Sequence, residues 1–267
     1  MRLAHVSDLH VARRPGGGEW NAKRLLASVN QRFFRGRRHR EERAAAALSS
    51  LAAGLPDLVL FTGDFTQHGL ESELAVAEKL LYPLTERKIP VLAVAGNHEY
   101  YGGARPSSLT DRLLRLSLGI RPDPDGIIRS FPGVEIILLE QSVPTWLFFS
   151  KGRQDPGELE RAAAVWSLPP LGIMRLACGH FPVIDIGKGA FLALRGLEEA
   201  GRLAGFLARC RVAGYFCGHN HRRFETELLG GCRQYSAPAI AGDGAEAALY
   251  ECGGELAYPA LVAKKEH

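Results

Sequence analysis

With 267 residues, 46% of them apolar, the chain is long enough to bury a large core as one α/β domain, and no linker in it demands a second. No apolar run approaches the roughly 20 residues of a membrane span, and Met1-Arg2 leads at once into a strand, so a cytoplasmic protein without a signal peptide is expected. Five cysteines, at 178, 210, 217, 232 and 252, form no CxxC and no even disulfide set, which fits a reducing compartment.

The formal charge of +4 is unevenly spread. Residues 13 to 40 hold nine arginines and lysines against the single acid Glu19, a local +8, which leaves 24 basic and 28 acidic residues, or −4, elsewhere. The basic character belongs to one insert.

In chain order, the apolar run Leu3 to Ser7 reads as a strand that delivers Asp8-Leu9-His10. Arg13 to Gly18 is a loop by composition. Trp20 to Phe34 reads as an amphipathic helix, with Leu25, Leu26, Val29 and Phe33 on one stripe and Lys23, Arg24 and Arg32 between, ending in the basic run Arg35 to Arg40. Such a helix suits an anionic bilayer or a substrate at the active-site rim. The plainer alternative packs its apolar face on the core and turns its arginines to water. A nucleic-acid patch also wants clustered arginine, but the apolar stripe argues against it.

Glu41 to Ala53 is an alanine-rich helix, and Leu58 to Thr62 a strand delivering Gly63-Asp64, after which His68 is not expected to be a ligand. A helix from Leu70 to about Glu86 completes a βαβ unit with the strand Val91 to Ala95, which ends in Gly96-Asn97-His98-Glu99. The loop bearing Tyr100 and Tyr101 reaches toward substrate, and Ser107 to Leu118 is helical. A Pro/Asp/Gly turn at 122 to 126 precedes a strand from Val134 to Glu140.

Trp146 to Phe149, followed by Lys151 and Arg153, reads equally as a membrane-dipping loop, an acyl pocket or a buried crossover. A helix at Gly157 to Leu168 leads to the strand Ile173 to Cys178, which delivers Gly179-His180. Arg195 to Arg209 is a further helix, with Arg195 and Arg202 expected at the surface. Val212 to Cys217 then delivers Gly218-His219-Asn220-His221, followed by Arg222-Arg223. The segments 224 to 229, 234 to 237 and 247 to 252 read as a small antiparallel finish, and Lys264 to His267 as a loose tail.

Five strand-like runs thus end alike, in Asp, His, Asp, Asn, His, His and His, all metal-ligand types. Seven ligands exceed what one tetrahedral zinc needs, and imidazole, carboxylate and amide oxygen together suit manganese, iron or zinc. Two divalent ions are expected.

At these residues the sequence resembles the calcineurin-like metallophosphoesterases, whose pattern is Asp-x-His, Gly-Asp, Gly-Asn-His-Asp/Glu, a single His and Gly-His-x-His. Every element is present in order, from residue 8 to residue 221. The resemblance implies a four-layer α/β/β/α sandwich with two mixed sheets, spanning residues 1 to 267 as one domain. It implies one metal on Asp8, His10 and His221, the other on Asn97, His180 and His219, Asp64 bridging them, and His98 as a catalytic group facing substrate. Manganese is the first choice of metal, with iron or zinc as alternatives.

Two ions ~3.5–4 Å apart clamp phosphoryl oxygens and turn a bound water into hydroxide for in-line attack. His98 then protonates or stabilises the leaving oxygen, and Glu99 is expected to orient a neighbouring histidine. Where many members show His-His-Pro, this chain has His180-Phe181-Pro182 and lacks the second imidazole.

Arg24, Tyr100, Arg222 and Arg223 are candidate substrate-binding residues. The basic insert and the Trp146 to Phe149 patch favour a peripheral-membrane pyrophosphatase similar to the UDP-2,3-diacylglucosamine pyrophosphatases of lipid A biosynthesis, held on the inner membrane face through residues 20 to 40. A soluble phosphodiesterase for cyclic nucleotides or glycerophosphodiesters is the alternative. Retention of all seven ligands with His98 disfavours a non-catalytic scaffold, and nucleic acid is not an expected partner.

Overall fold

The computed structural model describes residues 1–30, 41–123, 127–186, 194–242, 247–252 and 261–264. The first half runs β1 (Arg2–Val6), α1 (Ala22–Asn30), α2 (Glu41–Ala53), β2 (Leu58–Phe61), α3 (Glu71–Glu86), β3 (Val91–Ala93), α4 (Leu109–Leu116), β4 (Ile128–Phe131) and β5 (Val134–Leu138). The second half runs β6 (Gly152–Arg153), α5 (Pro156–Val165), β7 (Met174–Cys178), β8 (Leu197–Glu198), α6 (Ala200–Arg209), β9 (Gly214–Cys217), β10 (Phe224–Glu227), β11 (Arg233–Ser236), β12 (Ala248–Cys252) and β13 (Leu261–Lys264).

One mixed sheet has the order β13-β12-β1-β2-β3 and the other β10-β11-β9-β7-β5-β4, with β6 and β8 forming a separate short pair. β1, β2 and β3 are mutually parallel, as are β5, β7, β9 and β11. The parallel strands β2 and β9 are buried along their whole length, which is why they read as continuous runs without charged residues and not as alternations.

Three apolar layers account for the stacking. Leu3, Leu58 and Leu60 on one sheet meet Ile136, Leu176 and Phe216 on the other. Val6, Val59 and Phe61 point the opposite way, onto Leu48 of α2 and Leu74 and Leu81 of α3. On the far side, Ile137, Ala177 and Tyr215 pack against Leu159 of α5 and Leu203 and Phe206 of α6. The result is the α/β/β/α order expected from the motifs. All five ligand-bearing strands end at the same rim.

Several local expectations change. The helix expected over 20–34 is described as Ala22–Asn30, and Arg32, Phe33 and the run 35–40 lie outside the described residues. Residues 124–126 of the expected turn and 265–267 of the tail also lie outside them. The C-terminal strands are no small antiparallel unit: β11 joins the second sheet parallel to β9, while β12 pairs antiparallel with β1 and β13 with β12. Lys264 therefore belongs to a strand. The helix expected from Arg195 begins at Ala200, because Leu197–Glu198 pairs with Gly152–Arg153 instead.

Candidate metal centre

The chain turns sharply as each strand reaches the rim. Asp8, His10, Asp64, His219 and His221 all hold left-handed backbone, with φ of 56°, 50°, 59°, 67° and 52°. Such conformations cost of order 1–3 kcal/mol each in non-glycine residues and persist where the surroundings over-determine them. Here they do so by crossed main-chain bonds: the Asp8 and His10 amides donate to the Gly63 and Asp64 carbonyls, both at 3.0 Å.

The turns converge two groups of acceptors on Asp64. In the first, Nε2 of His10 and Nε2 of His221 face each other at 3.0 Å, with Asp8 Oδ1 at 3.6 and 3.2 Å from them and Asp64 Oδ2 at 3.8 Å from His10. Asp8 Oδ1 is buried with no hydrogen-bond donor. Asp8, His10, Asp64 and His221 each bring a ligand atom within 4.8 Å of the others.

In the second group, His180 Nε2 lies 3.2 Å and His219 Nδ1 3.1 Å from Asn97 Oδ1, and His180 Nε2 lies 3.4 Å from Asp64 Oδ2. The opposite ring nitrogens set the tautomers. His180 Nδ1 donates to the Thr62 carbonyl at 2.6 Å and His219 Nε2 to the Arg195 carbonyl at 3.1 Å, leaving lone pairs on the inner nitrogens. Lone pairs aimed at an amide oxygen and a carboxylate repel unless a cation sits among them, so the donor set fits a divalent ion at each group.

The electrostatics agree. Burial alone would raise the Asp8 and Asp64 carboxyls, yet the surrounding histidines, His221 for Asp8 and His180 for Asp64, hold both well below the usual range. Burial opposes charging His180, but Asp64 overrides it and lifts the ring to about 9. His219, buried and beside His180 and Arg195, is pushed well below 6.5. Two anionic carboxylates and a neutral His219 suit a cation, and on His180 a bound cation would take the place of the proton that Asp64 otherwise favours on the inner nitrogen.

His98 stands apart from both groups. Its amide donates to Asp64 Oδ1 at 2.9 Å, its Nδ1 donates to the Gln67 carbonyl at 2.8 Å, and its Nε2 meets the Tyr101 hydroxyl at 3.1 Å and is 3.9 Å from Asp64 Oδ2. Glu99 orients no histidine; it accepts from the amides of Gly96 (2.7 Å), Thr66 (2.9 Å) and Asp64 (3.1 Å) and so ties two motif loops together. Burial, then Asp64, pushes its carboxyl up to about 8.

The four candidate substrate residues lie elsewhere. Arg24 donates to the carbonyls of Glu19, His68 and Gly69, so its guanidinium is committed to the chain itself. Arg222 and Arg223 are exposed and do not line the cleft above the cluster. Tyr100 packs against the outer core, while its neighbour Tyr101 lines the cleft and stacks on His98 with ring centroids 4.2 Å apart. A 3₁₀ turn over His98–Tyr100 explains the exchange, since residues i and i+3 of such a turn eclipse. His68 pairs with Glu73 and Ser28.

The cleft, about 470 Å³, has the cluster as its floor and an apolar wall that includes Leu26, Ala27, Leu147, Phe148 and Leu194. α1 is inverted relative to the plain core-packing expectation. Lys23 donates to the Thr145 and Phe149 carbonyls at 3.0 and 2.9 Å and to the Thr145 hydroxyl, and lies 4.7 Å from the Tyr101 ring centroid. Meanwhile Leu25 and Val29 are 56% and 44% exposed. The 143–150 segment is no buried crossover either, with Trp146 75% exposed.

A sandwich of this order thus carries two cation-ready groups that share a carboxylate at its rim. The chain belongs to the calcineurin-like phosphoesterases, whose family model matches residues 1–223, and that family uses a dimetal centre. A probable cyclic nucleotide phosphodiesterase from Rhodococcus erythropolis is 27% identical over 222 residues, covering 82% of this chain and 64% of that protein. This chain therefore spans less than two thirds of that relative's length. Among solved structures, a dimetal phosphatase from Danio rerio is 17% identical with a TM-score of 0.66, covering 93% of this chain and 91% of that one. A purple acid phosphatase from yellow lupin seeds is 13% identical with a TM-score of 0.62, covering 94% and 48%. Both share the fold. Among the described residues, no helix is long and apolar enough to cross a membrane.

Proposed function

We propose that the protein is a phosphodiesterase whose first substrate class is the cyclic nucleotide, with one divalent ion on Asp8, His10 and His221, a second on Asn97, His180 and His219, and Asp64 shared. The observation that carries this reading is the cleft: a ligand cluster for the phosphoryl group lies directly beneath an apolar wall sized for a small organic moiety. The curated relative's name supports the cyclic nucleotide.

When bound, the ions supply a nucleophilic hydroxide and neutralise phosphoryl charge. Manganese fits a set that mixes carboxylate and amide oxygen with imidazole. The protein's own contribution is positional. The Gln67 carbonyl holds His98 Nδ1–H, so Nε2 is the nitrogen that faces the cleft and exchanges a proton with the leaving oxygen. The Asn97 side chain donates from Nδ2 to Tyr101 at 3.4 Å, which keeps its Oδ1 turned toward the histidines.

A second reading rests on Leu26, Val29 and Phe148, exposed along the cleft, with Leu25 and Trp146 exposed on the same two segments. It takes a lipid-linked substrate such as UDP-2,3-diacylglucosamine at an anionic membrane surface, with the protein peripheral on the inner face. Hydrolysis of 3′,5′-cyclic nucleotide and of UDP-2,3-diacylglucosamine in detergent, both with manganese, separates the two. Cleavage of the cyclic nucleotide by wild type and not by Asn97→Ala supports the first reading. Cleavage of the lipid alone sinks it in favour of the second.

A further inference from the structure

We propose that the Arg195 guanidinium is the anion-binding group that receives the non-bridging phosphoryl oxygens of the substrate. The inference rests on the phosphoester-hydrolase reading of the site and not on which organic group the phosphate carries.

A phosphate ester entering the cleft brings negative charge onto a floor already lined with carboxylates, so its outward-facing oxygens need a cationic donor besides the metals. Among the described residues lining the cleft, two side chains carry a permanent or near-permanent positive charge, Lys23 and Arg195. The three N–H bonds of Lys23 are matched by two carbonyls and a hydroxyl of the 145–149 segment. Arg195 differs. One guanidinium nitrogen donates to the His219 carbonyl at 3.3 Å, and the other N–H groups meet no described residue.

The position of Arg195 is also fixed in advance. The Ser150 amide donates to the Leu194 carbonyl at 2.8 Å and the Gly152 amide to the Gly196 carbonyl at 3.2 Å, and β8 follows directly, paired with β6. The carbonyl of Arg195 itself holds His219 Nε2 at 3.1 Å. A half-buried arginine whose main chain is clamped on both sides loses little freedom on binding an anion, and its planar fork matches two phosphoryl oxygens at once. The sequence pattern puts Arg195 at the start of a surface helix; the bonds of its neighbours Leu194 and Gly196 to the 150–152 segment hold it at the cleft wall instead.

The test compares wild type, Arg195→Ala and Arg195→Lys, all manganese-loaded, with orthophosphate as probe. Calorimetric binding of phosphate and its inhibition of bis(p-nitrophenyl) phosphate hydrolysis should both weaken by roughly 10–100-fold in Arg195→Ala, the range for losing a charge-assisted bidentate contact. Arg195→Lys should recover only part of the loss. Added guanidinium ion should rescue Arg195→Ala and leave wild type unaffected, while metal content per chain stays equal in all three. Phosphate affinity unchanged within about twofold overturns the proposal. So does a loss that tracks falling metal content and resists guanidinium, because Arg195 would then act only through His219. If wild type hydrolyses neither cyclic nucleotide nor aryl diester, the phosphodiesterase reading fails, and the phosphate titration still decides Arg195.

Discussion

Gly63 offers the sharpest test of how the backbone builds this site. It holds φ +93°, and a Cβ placed there would lie 2.7 Å from the Gly96 amide nitrogen and 2.7 Å from His180 Nδ1. Neither neighbour can yield cheaply. One is main chain of the next motif, and the other is a buried ring fixed to the Thr62 carbonyl at 2.6 Å. For Gly63→Ala, the left-handed conformation costs about 1–2 kcal/mol and the overpacking about 1–3 kcal/mol. The displaced His180 hydrogen bond adds about 1 kcal/mol. The total is about 3–6 kcal/mol, which at about 2–4 °C per kcal/mol for a chain of this size lowers Tm by roughly 6–24 °C. The assay is a circular-dichroism melt in chelator, so that metal contributes nothing, followed by metal titration of the same variant. Gly17→Ala, where a Cβ meets nothing within 4 Å, serves as control and should melt within about 1 °C of wild type. If Gly63→Ala also melts within about 2 °C and binds the wild-type number of ions, the crossed packing of the motif loops is not what holds His180 in place.

Tyr101→Phe should keep the stack on His98 but remove the hydroxyl that meets both His98 and Asn97. Losing two hydrogen bonds, about 1–2 kcal/mol together, predicts a roughly 5–30-fold drop in kcat/KM and a fall in Tm of about 2–8 °C, read by steady-state kinetics and a thermal melt. Lys23→Met should release the 145–149 segment from α1, so limited proteolysis should cut there faster than in wild type; equal cleavage rates would show that the lysine is no latch. His5 is pushed down to about 3 by burial, with Asp8 opposing, and it contacts Thr62 Oγ1 at 3.0 Å. The unfolded chain therefore takes up a proton below about pH 6.5 that the folded protein refuses, so this stability is present above 6.5 and lost as pH falls toward 3. The loss by pH 5 is about 2 kcal/mol, and denaturant titrations at pH 7 and 5 should show it shrink in His5→Leu.

The residues that the structure brings together are those that punctuate strand ends, and this explains why they were legible. A buried parallel strand is a continuous apolar run, so the first polar residue after it marks the rim, and five such marks locate one surface. The inversion of α1 was not legible in the same way. A 3.6-residue period reveals a stripe but not which face turns inward, and the acceptors that draw Lys23 and Arg24 in lie 44 to 126 residues away. Tyr101 and not Tyr100 lines the cleft because the period changes to three in the 3₁₀ turn after Asn97. Arg195 sat in a helical pattern that a two-residue pairing with β6 interrupts. The C-terminal strands looked alike in sequence yet divide between the two sheets, since pairing partners are chosen by packing across the whole molecule.

The shared carboxylate joins donors from opposite ends of the chain. Asp8, His10, Asp64 and Asn97 follow strands of one sheet, whereas His180, His219 and His221 follow strands of the other. Neither group of acceptors is complete on one side of the sandwich. A chain emerging from the ribosome can assemble neither until residue 219 or 221 has been synthesised and both sheets have met. On the ligand assignment proposed above, metal capture would be deferred until both sheets have met, and would then tie the two halves across their common edge.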